Sequence, residues 1–115
     1  MDIVQINIKE RIDSPSALTR EQGKIIYDYI VELLDENKSV VLDFSEIESL
    51  ITPFLNVAIG KLYEKYTSAE LQESLKIINI PIGKTSSFKM VIENAKKYYC
   101  NQEQFNNIIK DVIDT

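Results

Sequence analysis

The chain has no histidine, one cysteine, and only three glycines and three prolines in 115 residues. The missing histidine removes the commonest acid–base catalyst and metal ligand together. One cysteine excludes an internal disulfide framework and any cysteine-based zinc site. With so little glycine there is no phosphate-cradling loop; the lone glycine of Arg20-Glu21-Gln22-Gly23 makes no cradle. No run approaches the roughly 18 apolar residues a membrane span needs. The start, Met1-Asp2-Ile3-Val4-Gln5, has neither a basic region nor a cleavage site, so no signal peptide is expected and the cytoplasm is the expected address. Linker-like stretches, low-complexity segments and internal repeats are also lacking. Residues 1–115 are therefore expected to form a single domain.

What is present is an ordinary globular balance. The chain is 44% hydrophobic, enough to build a core and to set disorder aside. Thirteen basic against eighteen acidic side chains give a net charge of −5. That argues against a nucleic-acid or anionic-membrane surface as the main partner. The charge is uneven. Residues 1–57 carry 5 basic and 11 acidic side chains, a net −6, whereas residues 58–115 carry 8 and 7, a net +1.

Periodicity supplies the elements. Val4, Ile6 and Ile8 alternate with polar residues, the pattern of a half-buried strand over 2–8. Thr19-Arg20-Glu21-Gln22 has the form of a capping box, and Ile25, Ile26, Tyr29, Ile30, Leu33 and Leu34 then recur at helical spacing up to about Asn37. The nearly continuous apolar stretch 39–44 reads as a central strand covered on both faces. After a loop over 45–51, Thr52 is expected to cap a second helix with Pro53 in its first turn. That helix shows one apolar face of Phe54, Leu55, Ala58, Ile59, Leu62 and Tyr66. Thr67-Ser68-Ala69-Glu70 is a second capping box, opening a short helix to about Glu73. A third strand over 75–80 stops at Pro81. A helix carrying Phe88, Val91, Ile92, Ala95 and Tyr99 follows the Gly83 turn, and Asn101 is expected to cap a last one. Strands separated by helices imply an α/β sandwich with a parallel or mixed sheet and helical crossovers.

Val40 through Leu55, with Leu42-Asp43-Phe44, Thr52-Pro53-Phe54-Leu55-Asn56 and Ala58-Ile59-Gly60-Lys61-Leu62-Tyr63 as its clearest words, resembles the middle of a STAS domain. STAS is the fold of the anti-sigma-factor antagonists. Closer still is the likeness to stand-alone bacterial STAS-like proteins of unknown function, and Val91 to Tyr99 fits the same group. The resemblance covers roughly 18–100. It implies a STAS-like sandwich acting as a regulatory interaction module, whose partner would be a histidine-kinase-like ATPase or another regulator. It also implies departures. The antagonists carry a phosphorylated hydroxyl at the helix start, and by position Pro53 stands at the acceptor and Phe54 at the following glycine. The usual switch is thus in doubt, and Thr52 is the one substitute acceptor, with helix capping as its simpler role.

The candidate partner face comprises Asp43, Glu46, Glu48, Thr52, Pro53, Phe54, Leu55 and Asn56, with Arg20 at the preceding helix start. The acidic residues would steer, Phe54 and Leu55 would supply affinity as exposed anchors, and Asn56 a polar contact. No bond would be made or broken, so no enzyme and no cofactor is expected. Homodimerisation is compatible with this reading. Two other readings compete. Asp43 with Glu46 and Glu48 could hold a metal or nucleotide at the sheet edge, but their spacing matches no calcium loop, and a strand-end Asp bonding the loop backbone is the simpler account. A small acidic inhibitor filling a basic groove is the other. Cys100 follows Tyr98-Tyr99 at a helix end, the wrong dipole end to activate a thiol, and reads as a packing residue.

Overall fold

The structure, a computed structural model, describes residues 2–114, and of residues 100–114 the backbone alone. Three parallel strands, β1 (Ile3–Asn7), β3 (Ser39–Asp43) and β5 (Leu75–Ile78), form a sheet in the order β1-β3-β5. A two-stranded parallel ribbon, β2 (Ser16–Ala17) with β4 (Ser49–Leu50), stands beside it. Six helices interleave: α1 (Ile8–Ile12), α2 (Arg20–Asp35), α3 (Thr52–Leu55), α4 (Leu62–Lys65), α5 (Ser68–Ser74) and α6 (Thr85–Asp114). The α/β sandwich with a parallel sheet and helical crossovers is as the periodicity implied.

Register explains how the core forms. Val4 pairs with Val40 and Val40 with Leu75; Ile6 pairs with Leu42 and Leu42 with Ile77. These six side chains share one face of the sheet, and α2 and the segment 52–65 lie on the same side of the molecule. Burying them removes roughly 1.5–3 kcal/mol of apolar exposure for each large side chain fully enclosed. The other face differs from the expectation of cover on both sides. Val41 is only half-buried, and its register partners Gln5 and Lys76 are exposed. An apolar run on a strand does not distinguish full cover from half cover.

Both capping boxes form. Thr19 accepts from the Gln22 N–H at 3.0 Å while the Gln22 side chain accepts from the Thr19 N–H at 3.0 Å. Thr67 and Glu70 make the same exchange at 3.1 and 3.2 Å. Two other helices depart from expectation. The second is not continuous: Asn56–Gly60 winds as a π turn between α3 and α4, closed by the Lys61 N–H donating to the Asn56 carbonyl at 3.0 Å. The extra residue turns Ala58, Ile59 and Gly60 inward together. The last two expected helices are one, because no Gly or Pro lies between Thr85 and Asp114 and an interior Asn costs only a few tenths of a kcal/mol against average residues. Cys100 and the apolar side chains expected on the last helix lie outside the described side chains.

The crossing of α2 over the second helical segment sets the position of everything near residue 52. A Cβ built on Gly23 would lie 2.7 Å from the Phe54 carbonyl oxygen and 3.0 Å from the Val57 Cβ. Glycine is therefore required here for close approach of two backbones. On the far side the first turns of α6 close the core, with Phe88 edge-on to Phe44, ring centres 5.0 Å apart.

Candidate functional site

β1, β3 and β5 end at a common edge, and there Asp43 is the buried charged residue, 8% exposed. Its Oδ1 accepts from the Asn79 side-chain amide and from the Ser45 backbone N–H, both at 2.9 Å, and its Oδ2 accepts from the Gln5 amide at 3.1 Å. One carboxylate thus ties together β1, β3, the residue that follows β5 and the start of the loop after β3. The Asn79 bond first, and the Ser45 N–H next, stabilise the anion and hold its pKa below the ordinary carboxylate value. The expectation that Asp43 steers a partner is corrected: the group is enclosed, and its oxygens serve the fold, as the strand-end reading has it.

Glu46 and Glu48 do not converge with it. Glu46 sits in the left-handed region at φ 67°, and the Ile47 N–H folds back on the Phe44 carbonyl at 3.2 Å. Its Oε2 is 3.9 Å from the Lys9 ammonium, an exposed pair of small energetic weight. Glu48 is held by its backbone, whose N–H donates to the Pro15 carbonyl at 2.8 Å, leaving the side chain exposed. Among the described residues no three carboxylate, thiol or imidazole groups gather as metal ligands would.

At the next helix start the structure corrects two further expectations. The N-cap of α3 is Ile51, in extended conformation, and no side chain closes this terminus; Thr52 is the first helical residue and is half-buried, as is Pro53. Phe54 and Leu55, expected as exposed anchors, are both 0% exposed. The cause is α2: with Gly23 pressed on the Phe54 backbone, that turn is enclosed and its apolar pair packs inward. Neither side chain is available to a partner. Asn56 is exposed, and so is Arg20 in the first turn of α2.

Near this helix start two other large apolar residues are exposed instead, Leu18 and Ile51. Ala17 pairs with Leu50 in the ribbon, and the Ile51 N–H donates to the Ala17 carbonyl at 3.2 Å, so Leu18 and Ile51 leave the ribbon side by side. Leu18 is 39% and Ile51 45% exposed. A signal existed in the sequence. Leu18 precedes the cap of α2, where an apolar residue normally packs against the fourth helical position, and here that position is Gly23, which has no side chain to meet it. Arg20, Glu48 and Asn56, each within five residues of Leu18 or Ile51 in the chain, are exposed as well.

Tyr27, Tyr63 and Tyr66 are half-buried at the edge of the core, whereas Tyr98 is exposed, and the Tyr66 hydroxyl donates to Asp35 at 2.8 Å. No helix among the described residues is long and apolar enough to cross a membrane.

A parallel sheet carrying helices between its strands, with the Asp43 strand feeding a loop and an inward-packed helix start, defines an α/β domain of STAS-like type. The family model of the STAS-like domain of unknown function (DUF4325) matches residues 22–81. The chain belongs to that family. No curated protein and no solved structure matches it.

Proposed function

We propose that the protein is a regulatory interaction module that acts in the cytoplasm by binding another protein, without catalysing a reaction. The observation that carries this reading is the paired exposure of Leu18 and Ile51 at the end of the ribbon. Two large aliphatic residues brought side by side by backbone bonds, with the exposed polar residues Arg20, Glu48 and Asn56 near them in the chain, offer the ingredients of an apolar centre with a polar rim. Ile51 lies in the 45–56 segment through which the resemblance implies contact with a histidine-kinase-like ATPase or other regulator, and the ribbon sets Leu18 beside it. The enclosure of Asp43 supports a role in which no carboxylate at the sheet edge acts as a base or metal ligand.

Affinity capture from the native host tests it, comparing the wild type with Leu18→Ser/Ile51→Asp and with Ile82→Ser, a control at a fully exposed position. An ATPase or regulator held by the wild type and the control, and lost by the double variant at native circular dichroism, is the expected result. A partner that survives the double variant removes this face, and failure to recover any partner sinks the module reading.

A further inference from the structure

The sheet has an unfilled side. β5 is an edge strand, paired with β3 alone. The Phe44 N–H donates to the Ile78 carbonyl at 3.1 Å, so the backbone groups of Ile78 face β3. Because successive residues of a parallel strand turn their backbone groups to opposite sides, those of Ile77 face the open edge. The Leu75 N–H is already taken by the Leu71 carbonyl where α5 runs into the strand. Beside this edge, between β5, α5 and α6, lies a groove of about 340 Å³. Ile59, Tyr63, Leu71, Leu75, Ile77 and Ile92 give it apolar walls. The sandwich is one strand too narrow here: an added strand's inward side chains would occupy the groove as Leu42 and Ile6 occupy the centre.

The charges around the edge select the occupant. Lys96 is the one charged residue lining the groove, and no carboxylate lines it. Lys76 projects from the exposed face of β5 itself. Neither lysine forms an ion pair among the described residues, although the chain as a whole is acidic. We propose that the open edge of β5 binds an extended acidic peptide segment as a fourth strand, with aliphatic side chains in the groove and carboxylates on Lys76 and Lys96. Main-chain bonds to Ile77 set the register, and the groove and the two cations set the sequence preference. This site is separate from the Leu18–Ile51 face and stands or falls without it.

The test is a titration of the ¹⁵N-labelled full chain with a capped peptide in which glutamates alternate with valines except at one end, where a glutamate replaces the groove-side valine so that carboxylates can reach both Lys76 and Lys96. Saturable shifts centred on Ile77, Asn79 and Ile92 are expected. Binding should weaken by about tenfold or more in Lys76→Glu/Lys96→Glu, both positions being exposed, because two attractive pairs become repulsive. The same peptide N-methylated on alternate residues should not bind, since it cannot pair with the edge. Three results overturn the proposal: no shifts at millimolar peptide, shifts indifferent to charge reversal or to N-methylation, or concentration-dependent shifts at this edge without peptide accompanied by dimers in sedimentation. The last would make a second copy of the chain the occupant.

Discussion

The two flanks of this sandwich are packed to different standards. Where α2 crosses the Phe54 turn, backbone meets backbone so closely that one methyl group does not fit. At the other flank, beside β5, large apolar side chains are half-buried around an open groove. Close packing stores stability and admits no ligand, whereas a half-filled edge gives little stability and leaves surface to recognise with. The helix start at residue 52 lies on the tight flank and its aromatic residue, Phe54, is turned into the core, while Leu18 and Ile51 stay exposed at the end of the ribbon.

Mutations that weaken the tight flank should cost most. Phe54→Ala removes a fully buried ring and should lower the unfolding free energy by about 3–5 kcal/mol, read from urea midpoints at unchanged slope. An effect below 1 kcal/mol would mean that the ring is not in the core. Gly23→Ala comes next. Its Cβ would meet a carbonyl oxygen and not a flexible side-chain end, so a net cost of about 1–3 kcal/mol is expected despite alanine's better helix propensity. If the variant is more stable than the wild type, the two helices are not in that contact.

Asp43 joins the two flanks, because its clasp reaches from Gln5 on β1 to Asn79 beyond β5. Asp43→Ala strands three donors and should cost about 1–3 kcal/mol. Asp43→Asn should cost less, since the Gln5 amide can rotate to offer its oxygen to the new donor. The wild-type contribution is also pH-dependent. A group whose folded pKa lies below its ordinary value of 3.8 stabilises fully above that value and loses the contribution as pH falls through the lower, folded one. The difference in stability between wild type and Asp43→Asn should therefore be constant near neutrality and shrink below about pH 4. A difference that does not change down to pH 2 would show that the carboxylate is not held as described. The loose flank should answer least. Ile77→Ala, half-buried at the edge, is expected to cost about 1 kcal/mol, at the lower end for truncated aliphatic residues. A cost near that of Phe54→Ala would erase the contrast between the flanks.

Where local chemistry decides, the residues could be read directly. The capping boxes of Thr19 and Thr67 need only their own four-residue words, and both formed. The three strands of the main sheet were legible from alternation and from the apolar run at 39–44, each to within about two residues at either end. The strand-end role of Asp43 was legible too, as turn chemistry. Its amide partners were not, since Gln5 and Asn79 lie 38 and 36 residues away from it in the chain and nothing local pairs them.

The candidate site shows the same division more sharply. Composition, periodicity and resemblance brought the reading to 45–56, but the burial of Phe54 and Leu55 depends on a contact with Gly23, about thirty positions earlier. The two-residue strands β2 and β4 are too short to show any periodicity, and only their pairing sets Leu18 beside Ile51. The sequence by itself determined the three strands of the main sheet, the helix α2 between the first two and the capping boxes of Thr19 and Thr67, because hydrogen bonds within a few residues and the spacing of apolar side chains act along the chain. Tertiary structure alone decided which apolar residues face water, which carboxylate is locked in place and which sheet edge stays open. Those outcomes depend on volumes and backbone groups brought together from distant segments, and no local pattern carries that information.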